Sequence, residues 1–169
     1  MVNVNMVRFL KINNDTVLNF IGKAGERIII AKPAFLTVEI EALIKAKKEH
    51  KINIDLYMEP EDKAIRLGFG EKSTLDLINS NLYSFNVQLA EHIPMAILCF
   101  DNNALLYAPD LNLTETETHK PTFVNGVLCN GSAAKVIIDQ FPPLGNKERT
   151  KSKVTGNIIK FPGNYFPDN

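Results

Sequence analysis

EHIPMAILCFDNNALLYAP, residues Glu91 to Pro109, decides how this chain folds. Its middle, Met95 to Phe100, is a continuous apolar run too short for a typical helix. The polar link Asp101-Asn102-Asn103 ends that run, and apolar residues resume at once with Ala104 to Tyr107. Two apolar runs split by so short a link predict a β-hairpin. The first run is continuous rather than alternating. That predicts a strand covered on both faces, at the centre of a helix-flanked sheet.

Toward the N-terminus, strand and helix patterns alternate. Val7 to Ile12, VRFLKI, reads as a first strand. Asn14 or Asp15 then caps a helix, because a short side-chain oxygen accepts from the free amides of a first turn. Val17, Leu18 and Ile21 share one face of that helix, and Gly25 offers a left-handed stop after it. Arg27 to Ala31, RIIIA, is the strongest strand signal in the chain, and Lys32-Pro33 breaks it. A helix from Thr37 to Glu49 carries Leu36, Ile40, Leu43 and Ile44 on one stripe. Glu39 and Glu41 lie near its positive end, Lys45, Lys47 and Lys48 near its negative end, an ordinary dipole arrangement. Ile52, Ile54 and Leu56 alternate with Asn53 and Asp55 ahead of Tyr57 and Met58, giving another strand. Strand, helix and strand form a βαβ unit, whose crossover should be right-handed. Pro60 opens a short helical turn to Leu67, Ser73 caps a helix holding Leu75, Leu77 and Ile78, and Ser84 to Leu89 is a strand.

Past the hairpin, Asp110 to Thr122 is polar and lacks apolar periodicity, so an exposed loop is expected. Phe123 to Cys129 is a last strand. Gly131-Ser132 starts a helix with Ala133, Val136, Ile137 and Phe141, stopped by Pro142-Pro143. From Gly145 the chain turns polar and basic before Ile158, Ile159, Phe161, Tyr165 and Phe166. The expected organisation is one domain over 1–144 and an extended tail or linker over 145–169.

Composition narrows the functional classes. Nineteen basic and nineteen acidic side chains cancel, so no global field steers the protein to nucleic acid or an anionic membrane. No apolar segment approaches the ~20 residues of a membrane span, and the start, MVNVNMVRFLK, lacks a signal-peptide layout. Cys99 and Cys129 sit in apolar runs without a Cys-His cluster, which implies neither a zinc site nor a disulfide framework. The expectation is a reducing cytoplasm, no cofactor and no metal.

The central stretch resembles the phospholipase D-like superfamily, whose signature is His-x-Lys-x4-Asp in a strand, followed by Gly-Ser-x-Asn. With Asp101 on the signature aspartate, Pro94 falls on the histidine, Ala96 on the lysine, and Ala108-Pro109-Asp110-Leu111 on the last four. The order of elements agrees with one repeat of that family from about Val7 to Leu144, and FVNGVLCNGSAAKVIIDQF looks like the way such a repeat closes. The resemblance implies an α/β fold, a mixed, largely parallel sheet with helices on both faces. In active members the histidine attacks phosphorus, the lysine stabilises the phosphoryl oxygens, and a second repeat completes the site. Proline offers no nucleophile and alanine no charge. The implied function is therefore a catalytically inactive binding, regulatory or assembly domain. The alternative is a phosphodiesterase or nuclease completed by residues from another chain or domain.

Other candidates are weaker. His92 lies two positions before the histidine slot, an offset that keeps the same face on a strand, although Pro94 stands where its lysine should be. His119-Lys120 sits in the polar loop, the wrong context for the motif. Gly68-Phe-Gly70-Glu-Lys72-Ser73-Thr74 superficially resembles a phosphate loop but lacks its spacing. What survives is a glycine turn feeding a helix N-terminus, an anion site for which Arg66, Gly68, Gly70, Lys72 and Ser73 are the candidates. Lys147, Arg149, Lys151 and Lys153 in the tail leave nucleic acid an open partner. A small-molecule ligand or a partner protein is the other expectation, with no membrane. Self-association into a homodimer is expected because the uncharged motif strand, Met95 to Phe100, would otherwise present an apolar edge to solvent.

Overall fold

The structure is a computed structural model describing residues 6–59, 69–71, 73–109, 123–141, 144 and the backbone of 159–160. Its strands are β1 (Val7–Leu10), β2 (Arg27–Ala31), β3 (Asn53–Met58), β4 (Asn86–Glu91), β5 (Ala96–Phe100), β6 (Asn103–Tyr107), β7 (Gly126–Asn130) and β8 (Ile159–Lys160). Its helices are α1 (Asn14–Lys23), α2 (Thr37–His50), α3 (Ser73–Ser80) and α4 (Gly131–Ile138). Among the described residues the strands make one sheet in the order β1-β7-β6-β5-β2-β3-β4-β8. The mixed α/β class follows the sequence reading, with a smaller share of parallel pairing than "largely parallel" implies. β2–β3, β3–β4 and β4–β8 are parallel, while β1–β7, β7–β6, β6–β5 and β5–β2 are antiparallel. The cause is local. A parallel neighbour needs a long crossover, such as α2 between β2 and β3, whereas the tight β5–β6 turn can only give an antiparallel neighbour.

The caps differ in detail from the sequence expectation. Asn13, one residue ahead of the two predicted caps, ends in extended geometry, and its Oδ1 accepts from Thr16 N (2.9 Å) and from Thr16 Oγ1 (2.7 Å). Gly25 does not supply a left-handed stop. Among the described residues the positive-φ glycines are Gly70 and Gly131, and the C-cap of α1 is Ala24 in extended backbone. Helix α2 ends instead on Lys51 in the left-handed region. The polar loop 110–122, the turn from Pro60 and nearly all of the tail lie outside the described residues.

The pleat divides the apolar residues between two faces. Ile28, Ile30, Ile54, Leu56, Leu98, Phe100 and Leu105 meet α1, α2 and α3 on one face. Ile29, Ala31, Tyr57, Cys99, Ala104 and Cys129 meet α4 and Phe141 on the other. Helices thus flank both faces. Phe141 stacks edge-on against Tyr57, with ring centroids 5.2 Å apart. Val136, expected to face the core from α4, is 65% exposed, while Ala134 takes the buried position.

The motif strand is not an edge. β5 lies between β2 and β6, with Ile97 to Phe100 paired to Ala31 to Ile28 and Ala96 paired to Tyr107. The argument for a dimer through an exposed β5 therefore fails, because both rows of its backbone groups are used and its side chains enter both cores. The apolar edge is β1 instead, where Phe9 is 70% exposed.

Candidate functional site

β5 has two ends with opposite chemistry. At its C-terminal end, Asp101 occupies the first position of the β5–β6 turn with φ 51, a conformation that Asp tolerates better than most residues. Its carboxylate accepts from Gly25 N (3.0 Å), Glu26 N (2.8 Å) and Arg27 N (3.2 Å). Asp101 N donates in return to Arg27 O (3.1 Å). The aspartate of the motif frame thus locks the hairpin to the start of β2. Beside it, Arg27 pairs with the buried Asp55 at 2.5 Å, and Asp55 also accepts from Asn86 Nδ2 (2.8 Å). These contacts use the first ends of β2, β3 and β4 and join them to the turn.

The other end collects the carboxyl ends of β1, β2 and β6 with the start of β5. In open α/β sheets ligands bind at the carboxyl ends of the parallel strands. Ala96, on the lysine position of the motif frame, opens β5 and is 0% exposed, and Pro94 lies exposed in the preceding connection. The register that pairs Ala31 with Ile97 puts Lys32 at the level of Ala96 on the neighbouring strand. Lys32 is 7% exposed, and its Nζ donates to both oxygens of Glu39 at 2.7 and 2.8 Å. Glu39 is wholly buried and also accepts from Leu36 N (2.9 Å), fastening the loop after β2 to the first turn of α2.

That loop is walled by the segment leading to α3. Gly70 has φ +70, and a Cβ there would fall 2.5 Å from Ala34 Cβ and 2.7 Å from Phe35 O, so only glycine permits the approach. Glu71 N donates to Phe35 O (3.1 Å), and the Glu71 carboxylate accepts from Thr37 N (2.9 Å) and Thr37 Oγ1. Thr74 Oγ1 donates to Phe35 O (3.1 Å). A cavity of about 50 Å³ opens here among Lys32, Asn13, Asn14, Leu36, Gly70 and Tyr107. Tyr107 is the cross-strand partner of Ala96.

The sequence candidates distribute unevenly over these two ends. Ala96 adjoins the cavity through its neighbours, and Asp101 is at the far end of β5. His92 is exposed with φ 56 and lies with Pro94 in the β4–β5 connection rather than on a strand. The period-two argument that put it on the face of the histidine slot therefore does not apply. Glu59 Oε1 holds that connection by accepting from Ile93 N (2.7 Å). Of the anion candidates, Gly70 and Ser73 are described, and Arg66, Gly68 and Lys72 are not. Gly70 serves the close approach to Ala34. Ser73 Oγ lies 3.2 Å from Thr37 Oγ1, beside the Glu71 carboxylate that already fills the N-terminus of α2. His119, Lys120 and the basic tail residues lie outside the described residues.

The sequence reading missed Lys32 and Glu39 as a pair and Glu59 as an anchor. One signal was available: Glu39 stands three residues after Leu36, the spacing at which an acidic side chain reaches back to the N-cap amide. Cys99, on the second face, is free and buried, and burial pushes its thiol up to about 12. Among the described residues no helix is long and apolar enough to cross a membrane.

No protein-family model matches the sequence, and no curated protein is significantly similar to it. Solved structures are. The phospholipase D family member Nuc from Salmonella typhimurium aligns with a TM-score of 0.56 at 14% identity, over 80% of this chain and 90% of that one. NucT from Helicobacter pylori gives 0.50 at 12% identity over the same shares. TrmBL2, an archaeal chromatin protein with a novel mode of DNA binding, gives 0.52 at 13% identity over 80% of this chain. The match covers 49% of TrmBL2, about half its length. At such identities the likeness is one of fold. The chain has a phospholipase D-like fold.

Proposed function

We propose that this chain is a catalytically silent phospholipase D-like domain that works by binding, in regulation or assembly. The observation that carries this reading is the head of β5. In the frame set by Asp101, Pro94 and the fully buried Ala96 fall on the positions of the family's nucleophile and cation, and neither can attack phosphorus or hold a phosphoryl charge. The lysine nearest in register, Lys32, spends two of its donors on Glu39. Asp101 has a structural use that does not need the other two residues. The test is incubation of the purified chain with bis-p-nitrophenyl phosphate and with single-stranded DNA. No turnover is expected; turnover abolished by His92→Ala would mean that the chain is a phosphodiesterase after all.

We also propose self-association, now through the exposed edge strand β1 rather than β5. Val7 and Phe9 leave apolar surface on that edge, and an isologous strand pair would cover it. Light scattering should give a dimer that Phe9→Lys converts to monomer; a monomeric parent chain refutes it. DNA binding is a second reading, favoured by the likeness to TrmBL2. The balanced charge weighs against it, and salt-resistant retention of the chain on duplex DNA would reverse that judgement.

A further inference from the structure

The sequence contains two Asn–Gly steps, Asn125–Gly126 and Asn130–Gly131, one at each end of β7. Both asparagines hold the edge strand β1. Asn125 Oδ1 accepts from Ile12 N (2.6 Å), and its Nδ2 donates to Ile12 O (2.8 Å). Asn130 Oδ1 accepts from Met6 N (2.8 Å), while Asn130 N donates to Met6 O (3.1 Å). The two glycines stand there for different reasons. Gly126 is buried in the ladder between Leu10 and Tyr107, and a Cβ on it would fall 2.5 Å from Ile12 Cγ1 and 3.0 Å from Leu106 O. Gly131 has φ 61 and turns the chain from β7 directly into α4.

We infer that Asn130–Gly131 is a site of spontaneous covalent modification, deamidation through a cyclic imide, and that the fold shields the same dipeptide at Asn125–Gly126. In this chemistry the Gly131 nitrogen loses its proton and attacks Asn130 Cγ. The new N–Cγ bond closes a five-membered imide as the Cγ–Nδ2 bond breaks, and ammonia leaves with the proton. Water then adds to either imide carbonyl and opens the ring to an aspartyl or an isoaspartyl link, with nothing oxidised or reduced. Glycine favours the attack because no Cβ crowds its nitrogen. The reaction needs an accessible peptide nitrogen and a carboxamide that can turn toward it. At position 130 both conditions hold. The Gly131 N–H is the first of α4, and the opening amides of a helix have no acceptor within it. Asn130 makes no side-chain cap bond to α4, and its Nδ2, the leaving group, has no partner among the described residues. At position 125 both ends of the carboxamide are engaged and Gly126 is enclosed by strands on either side. Cyclisation there must first break the two bonds to Ile12, which slows it about tenfold or more. The products act on β1. An isoaspartyl link adds a backbone carbon between β7 and α4 and carries the acceptor away from Met6 N, whereas the aspartyl link keeps the acceptor and adds negative charge at the positive end of α4. The site goes beyond the binding reading and does not depend on it.

The test is incubation of the full-length chain at mildly alkaline pH, with and without urea, followed over time by peptide mapping with mass spectrometry. The mass change of exchanging NH2 for OH reads conversion at each asparagine separately, so Asn125 serves as the internal control for Asn130. In the folded chain conversion at Asn130 should run about tenfold or more ahead of conversion at Asn125. In urea the two rates should converge, because the unfolded chain gives both dipeptides the same freedom. No conversion at Asn130 in the folded chain overturns the inference. Equal rates in the folded chain, or a faster rate at Asn125, overturn it too. So does a difference that persists in urea, since the flanking sequence and not the fold would then be its cause.

Discussion

Removing one partner of the Lys32–Glu39 pair should cost far more than removing both. Glu39 is 0% exposed and holds the Lys32 ammonium through two bonds, 2.7 and 2.8 Å, plus the Leu36 amide at 2.9 Å. Lys32→Met leaves a carboxylate inside the protein with one amide for company. Breaking a buried pair in this way typically costs about 3–5 kcal/mol, against a total stability of roughly 5–15 kcal/mol for a domain. Lys32→Met with Glu39→Leu removes both charges and returns apolar volume to the site. What remains lost is the acceptor for Leu36 N, a penalty of about 1–3 kcal/mol, partly offset by the avoided desolvation of two ions. The double variant should therefore be more stable than Lys32→Met alone, with a coupling energy of about 2 kcal/mol or more. Urea denaturation followed by far-ultraviolet circular dichroism measures each ΔG, and an unchanged m-value certifies that the unfolding reaction is the same. If Lys32→Met loses only a few tenths of a kcal/mol, or the two single losses simply add, the pair is not a buried unit and the reasoning is wrong.

Two further outcomes follow from the same contacts. Asp101→Ala deprives the Gly25, Glu26 and Arg27 amides of their acceptor and should cost about 1–3 kcal/mol, with faster hydrogen exchange at those three amides, whereas Asp101→Asn should cost less because an acceptor and the left-handed turn both survive; unaltered exchange in the alanine variant would refute the lock. Cys99, with its thiol raised from 9.0 to about 12, should resist alkylation in the native state at mildly alkaline pH and react only on unfolding. Because the folded value is the higher one, its contribution to stability is complete below about pH 9 and is lost as pH rises toward 12. Equal labelling rates for native and unfolded protein would contradict this.

What could be read from the sequence was the part governed by neighbours along the chain. RIIIA, the Thr37 helix, the alternation from Ile52 to Met58 and the hairpin around Asp101 all appear where their periodicity placed them, because side-chain direction within a strand or helix is fixed by local geometry. The frame around Asp101 also gave the fold class. The rest depended on register. That β5 pairs with β2 as well as β6, and so is no edge, follows from a ladder between residues about seventy positions apart, for which no local pattern exists. Asp101 reaches amides 74 to 76 residues away, and Glu59 reaches Ile93 across 34. Glu39 looked like an ordinary first-turn acid, since its charge favours the positive end of a helix whether or not it is buried. Only the sheet, by ending β2 at the level of Ile97 and bringing α2 over it, shut water out and left Lys32 to satisfy the carboxylate.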